Sequence, residues 1–322
     1  MEVIIHFGPP KTGTSAIQNW LLEHRELLIK YGIYYPKHTL DINGVSSGNA
    51  SRLFSTPKSK IKDARAKKPE LIEEARKYKC RTLLLSSESF MRRLPILARV
   101  FPNARFIGYV RPPFELLESG YNQRVKRGGE LDKFNLEKAI EINHLKKIGP
   151  MISEIGAERF TLRPYDKNVF YKNDIISDFL ETLIPKFNNE QDLKPSKRVN
   201  LSYTLEALEL KRWINNLELE RKLVREVDLV LQSIKEGTLS FSLLTETEYE
   251  AQKTASIQDI NELNDICAID NYAELVDSIE RKTQKTAMPQ EITNEQKMEL
   301  LKIVTLRVPE LTGALKEKGI NI

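Results

Sequence analysis

One stretch near the amino terminus indicates the fold: Val3-Ile4-Ile5-His6-Phe7-Gly8-Pro9-Pro10-Lys11-Thr12-Gly13-Thr14-Ser15. The apolar run at its start predicts a buried strand, and the glycine and prolines that follow predict a turn. Apolar residues then recur at helical spacing as far as Gly32, which predicts an amphipathic helix over 14–31. A strand, a glycine-containing loop and a helix together form a cradle for an anion, because the N–H groups of the loop and of the helix N-terminus face one point.

The position of the lysine within this loop indicates which anion is bound. Gly8 and Gly13 have the spacing of the nucleotide-triphosphatase loop G-x-x-x-x-G-K-[ST], but Thr14 stands at the lysine position and Ser15 follows it. In that loop the lysine reaches the β- and γ-phosphates, and the next hydroxyl binds Mg²⁺. Here the loop lysine is Lys11, before the second glycine. A lysine placed earlier in the loop is expected to lie over a nearer group of the ligand.

Residues 10–15, read as P-K-T-G-T-S, resemble the 5′-phosphosulfate loop of the sulfotransferases that use 3′-phosphoadenosine 5′-phosphosulfate (PAPS). The pattern of that family is P-K-[ST]-G-[ST]-[ST], and this chain matches it at every position. The resemblance implies a P-loop-like fold, PAPS as co-substrate, a catalytic role for Lys11, and donor contacts from Lys11, Thr12, Gly13, Thr14 and Ser15. The alternative is a strand, turn and helix in which a threonine caps the helix and no ligand binds.

A second segment supports the same family. The run 105–110 predicts a buried strand, two prolines follow Arg111, and a helix is predicted from Phe114. Arg111 stands at the carboxyl end of its strand, where ligands bind in open α/β sheets. The segment resembles the pattern strand-R-[DNP]-P-x5-S-x-Y, which binds the 3′-phosphate in the family, and the resemblance implies that Arg111 and Ser119 bind that phosphate. The alternative is a surface arginine and a helix serine without a ligand.

The two phosphate segments together distinguish PAPS from an ordinary nucleotide. PAPS carries a 5′-phosphosulfate and a 3′-phosphate on one adenosine, whereas ATP has no 3′-phosphate and needs no second site. An arginine side chain matches phosphate oxygens in a bidentate manner. We therefore expect a PAPS-dependent sulfotransferase that moves a sulfuryl group by in-line displacement to a hydroxyl, less readily to an amine, of a saccharide or other small molecule.

Sulfuryl transfer requires a base, because the acceptor oxygen loses its proton as it attacks sulfur. Glu88 follows the predicted strand 82–86 directly, and in the resembling family the end of this strand faces the sulfate. We expect Glu88 to be the base by its location, with His38 in the loop after the second strand as the competitor. A carboxylate that only satisfies a helix N-terminus remains an alternative for Glu88. No cluster of Cys, His or Asp has the spacing of metal ligands, so no metal is expected.

The order of the elements predicts the architecture. Strands that alternate with helices predict a P-loop-like three-layer α/β/α fold with a central parallel sheet. We expect a PAPS-binding core over 1–200 and a helical C-terminal extension over 201–322, which begins with one long helix over 204–236 and packs on the core or forms a homodimer contact. Two basic segments are further candidates. The segment 58–68 is a candidate for guiding an anionic ligand to the site, or it is only solvated charge. The loop 194–202, with Lys197 and Arg198, is a candidate for closing over the ligand, or it is only a helix cap.

Composition and charge narrow the remaining function classes. The 322 residues are 40% hydrophobic and 30% charged, as in ordinary globular proteins, and the formal net charge is +5. That charge suits an anionic ligand, and we expect no nucleic-acid partner. The sequence contains no apolar stretch long enough to span a membrane, no recognisable signal peptide, and only Cys80 and Cys267, which together predict a cytoplasmic protein. The alternatives to a sulfotransferase are a P-loop nucleotide kinase or triphosphatase and a non-catalytic module that binds adenosine 3′,5′-bisphosphate (PAP) or another anion.

Overall fold

A computed structural model describes residues 1–9, 11–40, 46–56, 60–185, 187 and 203–320 of the chain. Its centre is one parallel sheet built from β1 (Glu2–Phe7), β2 (Ile33–Tyr34), β3 (Thr82–Ser86), β4 (Arg105–Val110) and β5 (Phe160–Pro164). The strand order is β2-β3-β1-β4-β5, and every adjacent pair is parallel. This sheet, with its helices, confirms the predicted α/β class.

The α-helices are α1 (Thr14–Glu23), α2 (Arg25–Lys30), α3 (Ile61–Lys77), α4 (Leu94–Val100), α5 (Phe114–Gln123), α6 (Leu136–Ile140), α7 (His144–Ile155), α8 (Ile175–Leu183), α9 (Leu205–Asn215), α10 (Arg221–Ser233), α11 (Glu246–Ile266), α12 (Tyr272–Arg281), α13 (Asn294–Arg307) and α14 (Glu310–Glu317). A short 3₁₀ helix spans Glu88–Arg93, and a π-helical turn spans Arg124–Gly128. Among the described helices, none has the combination of length and apolar character that a bilayer span requires.

The chain forms two compact units. The first contains residues 1–112, 143–199 and 255–282, and the second contains residues 113–142, 200–254 and 283–322. The second unit thus includes a segment that lies before residue 200, and the first includes one that lies after it. The two-domain division at residue 200 stays a prediction.

The first unit has three layers. Residues of α1, α2 and α8 share a hydrophobic core with Ile4, Leu84 and Ile107 of the sheet. On the other face α3 packs on α4, and α4 packs on α7. The chain moves from β1 to β2 in one direction along the sheet and from β2 to β3 and from β3 to β4 in the other. Because parallel crossovers are right-handed, α1 and the pair α3 and α4 therefore lie on opposite faces.

The centre of the sheet is the place where this direction reverses. β1 pairs with β3 on one side and with β4 on the other, so its carboxyl end lies between the two halves of the sheet. Close contact between strands is required here, since a Cβ on Gly108 would overlap the ring of Phe7. Ligands of open α/β sheets bind outside the carboxyl ends of the strands at such a reversal.

The second unit is helical, with a core formed by α9, α10, α13 and α14 around residues such as Leu208, Leu231 and Leu301. The predicted single helix over 204–236 is wrong, because the chain turns between α9 and α10. The helix α9 ends at Asn215, and Glu218 in the turn that follows adopts a left-handed conformation, with φ 50°. The turn allows α9 and α10 to bury apolar residues in the same core.

Three other predicted segments differ from the structure or lie partly outside the described residues. The first predicted helix is divided at His24, whose Nδ1–H bonds to the carbonyl of Trp20. The helix α3 begins at Ile61, so residues 61–68 of the basic segment are helical, while Lys58 and Ser59 lie outside the described residues. Pro10 and the candidate loop 194–202, with Lys197, Arg198, Asn200 and Ser202, also lie outside the described residues.

Candidate functional site

Three loops meet at the carboxyl edge of the sheet in the first unit. Each follows one of three adjacent strands: the anion loop follows β1, the segment with Glu88 follows β3, and Arg111 follows β4. Carboxyl ends of parallel strands lie at the same edge of a sheet. The strand order therefore brings together candidate residues that lie up to 100 positions apart in the sequence.

The anion loop has an unusual backbone. Lys11 and Gly13 both have left-handed φ values, 67° and 70°, and a lysine in that region is strained. The Thr12 hydroxyl is fully buried and donates to the Pro9 carbonyl at 2.7 Å, so this side chain shapes the turn. Gly13, the N-cap residue of α1, has no side chain with which to cap the helix. The first N–H groups of a helix have no partner within the helix, which makes this end suited to an anion.

Glu88 lies beside this loop. Ser87 begins the 3₁₀ helix, and its hydroxyl accepts from the Ser89 N–H, which sets the direction in which Glu88 leaves the strand. The Glu88 side chain keeps contact with solvent, yet the protein packed around its carboxyl raises its pKa. The Lys11 charge and a hydrogen bond with the Thr14 hydroxyl act in the opposite direction. A carboxylate with a raised pKa is a stronger proton acceptor, which suits a general base.

Arg111 contacts the same loop from the other side. Its Nη1 donates to the Lys11 carbonyl at 2.7 Å, and its guanidinium lies 5.1 Å from the centre of the Tyr165 ring. Tyr165 also limits the space around Gly13, where an added Cβ would lie 3.2 Å from its ring. Sequence reasoning missed this bond to the loop backbone, because no local pattern relates Arg111 to Lys11.

The structure also places Ser119 and Ser15. Ser119 lies on α5 in the second unit, and its hydroxyl is within bonding distance of the Glu115 and Leu116 carbonyls of its own helix. The shared phosphate site of Arg111 and Ser119 stays a prediction. Ser15 lies in the first turn of α1 and donates to the Ser46 carbonyl at 3.2 Å.

The histidines differ in their surroundings. His38 is buried, its pKa is lowered mainly by burial, and its Nε2 lies 2.6 Å from the Ser46 hydroxyl. His6 is fully buried inside β1 beside the Ser86 hydroxyl, and burial lowers its pKa to about 3. His144 lines a small apolar cavity with Phe7, Pro9 and Met91. Of the two candidate bases, Glu88 is the one whose pKa responds directly to Lys11.

Within the described part of the chain, no group of three or more His, Cys, Asp or Glu side chains is placed to hold a metal ion. Cys80 and Cys267 are free and buried.

Comparison with known proteins shows a likeness among the solved structures. No family model matches the sequence, and no curated protein matches it. Among the solved structures, the sulfotransferase domain from the curacin biosynthetic pathway is similar to this chain with a TM-score of 0.39 and 18% sequence identity. The match covers 61% of this chain and 78% of that chain. The strand order and the parallel pairing of this chain themselves show its α/β fold.

Proposed function

We propose that this chain is a PAPS-dependent sulfotransferase that transfers the sulfuryl group to a hydroxyl of a carbohydrate or other small acceptor. The observation that supports the proposal most is the convergence of Lys11, Thr14 and Glu88 at the carboxyl ends of β1 and β3. A cation, helix N–H groups and a carboxylate with a raised pKa then lie at one place, which is the set that in-line sulfuryl transfer uses.

In this proposal the loop and the N-terminus of α1 bind the 5′-phosphosulfate, since these N–H groups attract negative charge. Lys11 neutralises the oxygen that bridges phosphorus and sulfur, which gains charge as its bond to sulfur breaks. Arg111 holds the loop through the Lys11 carbonyl, and in this proposal its guanidinium also binds the 3′-phosphate. The leaving group is PAP.

Glu88 acts on the acceptor. As the acceptor oxygen forms its bond to sulfur, its proton passes to the Glu88 carboxylate. A positioned base of this kind contributes roughly 10²–10⁴-fold to the rate. The raised pKa of Glu88 increases its affinity for that proton, while Lys11 and Thr14 act in the opposite direction and favour the ionised carboxylate.

The alternative function is a nucleotide kinase or triphosphatase. In the loop of those enzymes the hydroxyl after the lysine position binds Mg²⁺, and Ser15, which stands there in this chain, donates its hydroxyl to the Ser46 carbonyl at 3.2 Å. The lysine position argues for the sulfotransferase, because Lys11 is not where the triphosphatase loop needs it. A module that binds PAP without catalysis has the same loop and would lack turnover.

Ligand binding separates the three functions. The melting temperature and calorimetric Kd are measured with PAP, AMP and ATP–Mg²⁺, since a ligand at 100 times its Kd stabilises by about 2.7 kcal/mol. We expect PAP to bind most tightly, and ATP–Mg²⁺ binding tighter than PAP would overturn the proposal. Radiolabelled PAPS with a panel of saccharide, phenol and amine acceptors then tests transfer, and PAP binding without any transfer would indicate the non-catalytic module.

A further inference from the structure

The segment Ser46–Asn49, called here the 46–49 segment, lies between the anion loop and the strand that leads to Glu88. It belongs to the long loop after β2, where the sequence offers turn-forming residues and no motif. In the structure it contacts both sides of the candidate site, and each contact involves a described residue of the first unit.

On the β3 side the contacts are to the backbone of the strand end. Asn49 N–H donates to the Ser86 carbonyl at 2.9 Å, and Asn49 Oδ1 accepts from the Ser86 N–H at 2.9 Å. The Ser87 hydroxyl donates to the Ser47 carbonyl at 2.8 Å. Asn49 is fully buried, so these bonds are protected from water.

Gly48 makes the close approach of this segment to β3 feasible. Its φ is 71°, and a Cβ at this position would overlap the Ser86 carbonyl and approach the Ser87 Cα to 2.9 Å. A residue other than glycine would therefore be strained by its backbone and would also push the strand end away.

On the α1 side the segment contacts Ser15. The Ser46 carbonyl accepts from the Ser15 hydroxyl at 3.2 Å, in the first turn of α1. The Ser46 hydroxyl accepts from the Gly48 N–H at 3.0 Å and lies 2.6 Å from His38 Nε2. Because burial keeps His38 neutral, its Nε2 can accept the proton of this hydroxyl. The segment is thus held at both of its ends.

We propose that the 46–49 segment is a positioning element, which holds Ser87 and therefore Glu88 at a set distance from Lys11 and Thr14. Ser87 is the link, because one hydroxyl donates to Ser47 and accepts from the Ser89 N–H at the start of the 3₁₀ helix that contains Glu88. The geometry stands on its own, and its consequence for catalysis rests on the proposed function.

The test compares Ser87→Ala with Ser87→Thr. Alanine removes the hydroxyl that bonds to Ser47 and caps the 3₁₀ helix, whereas threonine retains it. Gly48→Ala changes the 46–49 segment instead of the strand, and its added Cβ pushes the same strand end away. The control is Ser51→Ala, a nearby exposed serine.

The first readout needs no donor or acceptor. The Glu88 carboxyl is titrated by NMR in protein with ¹³C-labelled glutamate, with Glu88→Gln used to assign its signal. Lys11, Arg92 and Thr14 face this carboxyl, so its pKa reports where it lies. We expect Ser87→Ala and Gly48→Ala to change the Glu88 pKa, while Ser87→Thr and Ser51→Ala leave it unchanged. An unchanged Glu88 pKa in folded Ser87→Ala would overturn the inference, even if Gly48→Ala does not fold.

The second readout applies once transfer is measured. We expect Ser87→Ala to lower kcat by about fivefold, since loss of one hydrogen bond corresponds to about 1 kcal/mol, and to leave the Kd of PAP within twofold. Ser87→Thr is expected to restore kcat. If the titration behaves as expected and no PAP binds, the proposed function fails while the positioning role stands. If PAP binds and kcat is the same in all four variants, the catalytic part of the inference fails.

Discussion

The Arg111 guanidinium, at the end of β4, donates a 2.7 Å hydrogen bond to the backbone carbonyl of Lys11, in the loop that follows the neighbouring strand β1. Lys11 has a left-handed backbone, which costs a residue with a Cβ roughly 1–2 kcal/mol. A bond from a charged donor contributes about 1.5–3 kcal/mol and can offset that cost. Arg111 therefore maintains the conformation in which the Lys11 side chain leaves the loop.

Arg111→Ala is expected to weaken PAP binding by roughly 10–100-fold, because the loop loses a charge-assisted bond of about 1.5–3 kcal/mol. Calorimetry with PAP measures the change. The control is Arg105→Ala, an exposed arginine at the opposite end of the same strand, paired with Glu2 at 2.6 Å. Equal losses in both variants would indicate a general effect of charge, and would contradict a specific role for Arg111.

Substitutions at Lys11 separate its charge from its backbone. Lys11→Ala and Lys11→Gly both remove the ammonium group, so each is expected to lower kcat by on the order of 10²-fold or more. Glycine adopts a φ of 67° without strain, whereas alanine is strained there. Lys11→Gly is therefore expected to be more stable than Lys11→Ala, with a free energy of unfolding about 1 kcal/mol higher. Denaturant unfolding measures the difference. A normal kcat with a raised KM for PAPS would make Lys11 only an anchor.

Glu88→Gln is expected to lower turnover by roughly 10²–10⁴-fold with little change in PAP affinity. The same substitution is expected to lower turnover but to increase the stability of the fold at neutral pH. The folded pKa of Glu88 is raised, so the folded state binds the proton more tightly than the unfolded state, and stability falls as pH rises from the ordinary carboxyl pKa through the folded value. Glutamine removes this loss. We expect the variant to melt higher than the wild type at neutral pH and equally at acid pH, where Glu88 is protonated in both states. A lower melting temperature at neutral pH would contradict the raised pKa.

Alanine substitutions at Gly13 and at two control glycines test why the loop requires a glycine at position 13. Gly13→Ala introduces strain at a φ of 70° and an overlap with the Ile175 side chain, so it is expected to destabilise by more than 1 kcal/mol. Gly129 has the same φ with open space around it, and Gly129→Ala is expected to cost about 1 kcal/mol from strain alone. Gly313 lies in α14 without a left-handed φ and with open space, so Gly313→Ala is expected to stabilise by about 0.5–1 kcal/mol. Thermal unfolding of the three variants gives the order directly.

The sequence by itself determined the elements whose signals are local. The β1 strand, the glycine loop and the start of α1 at Thr14 follow from an apolar run, turn residues and helical spacing within a single stretch. The strand 105–110 was predicted with its observed bounds for the same reason. The parallel sheet also followed, because alternating strands and helices permit few arrangements.

The tertiary structure alone decided which of these elements are neighbours. The reversal of direction at β1 places Glu88 beside Lys11 and Thr14, and places Arg111 against the Lys11 carbonyl, across separations that no local pattern encodes. The left-handed Lys11 and the turn at Glu218 are further examples, since backbone conformations of this kind depend on contacts that the surrounding fold supplies. Periodicity records which face of an element is buried, whereas the neighbours of that face are set by how the whole sheet and its helices pack.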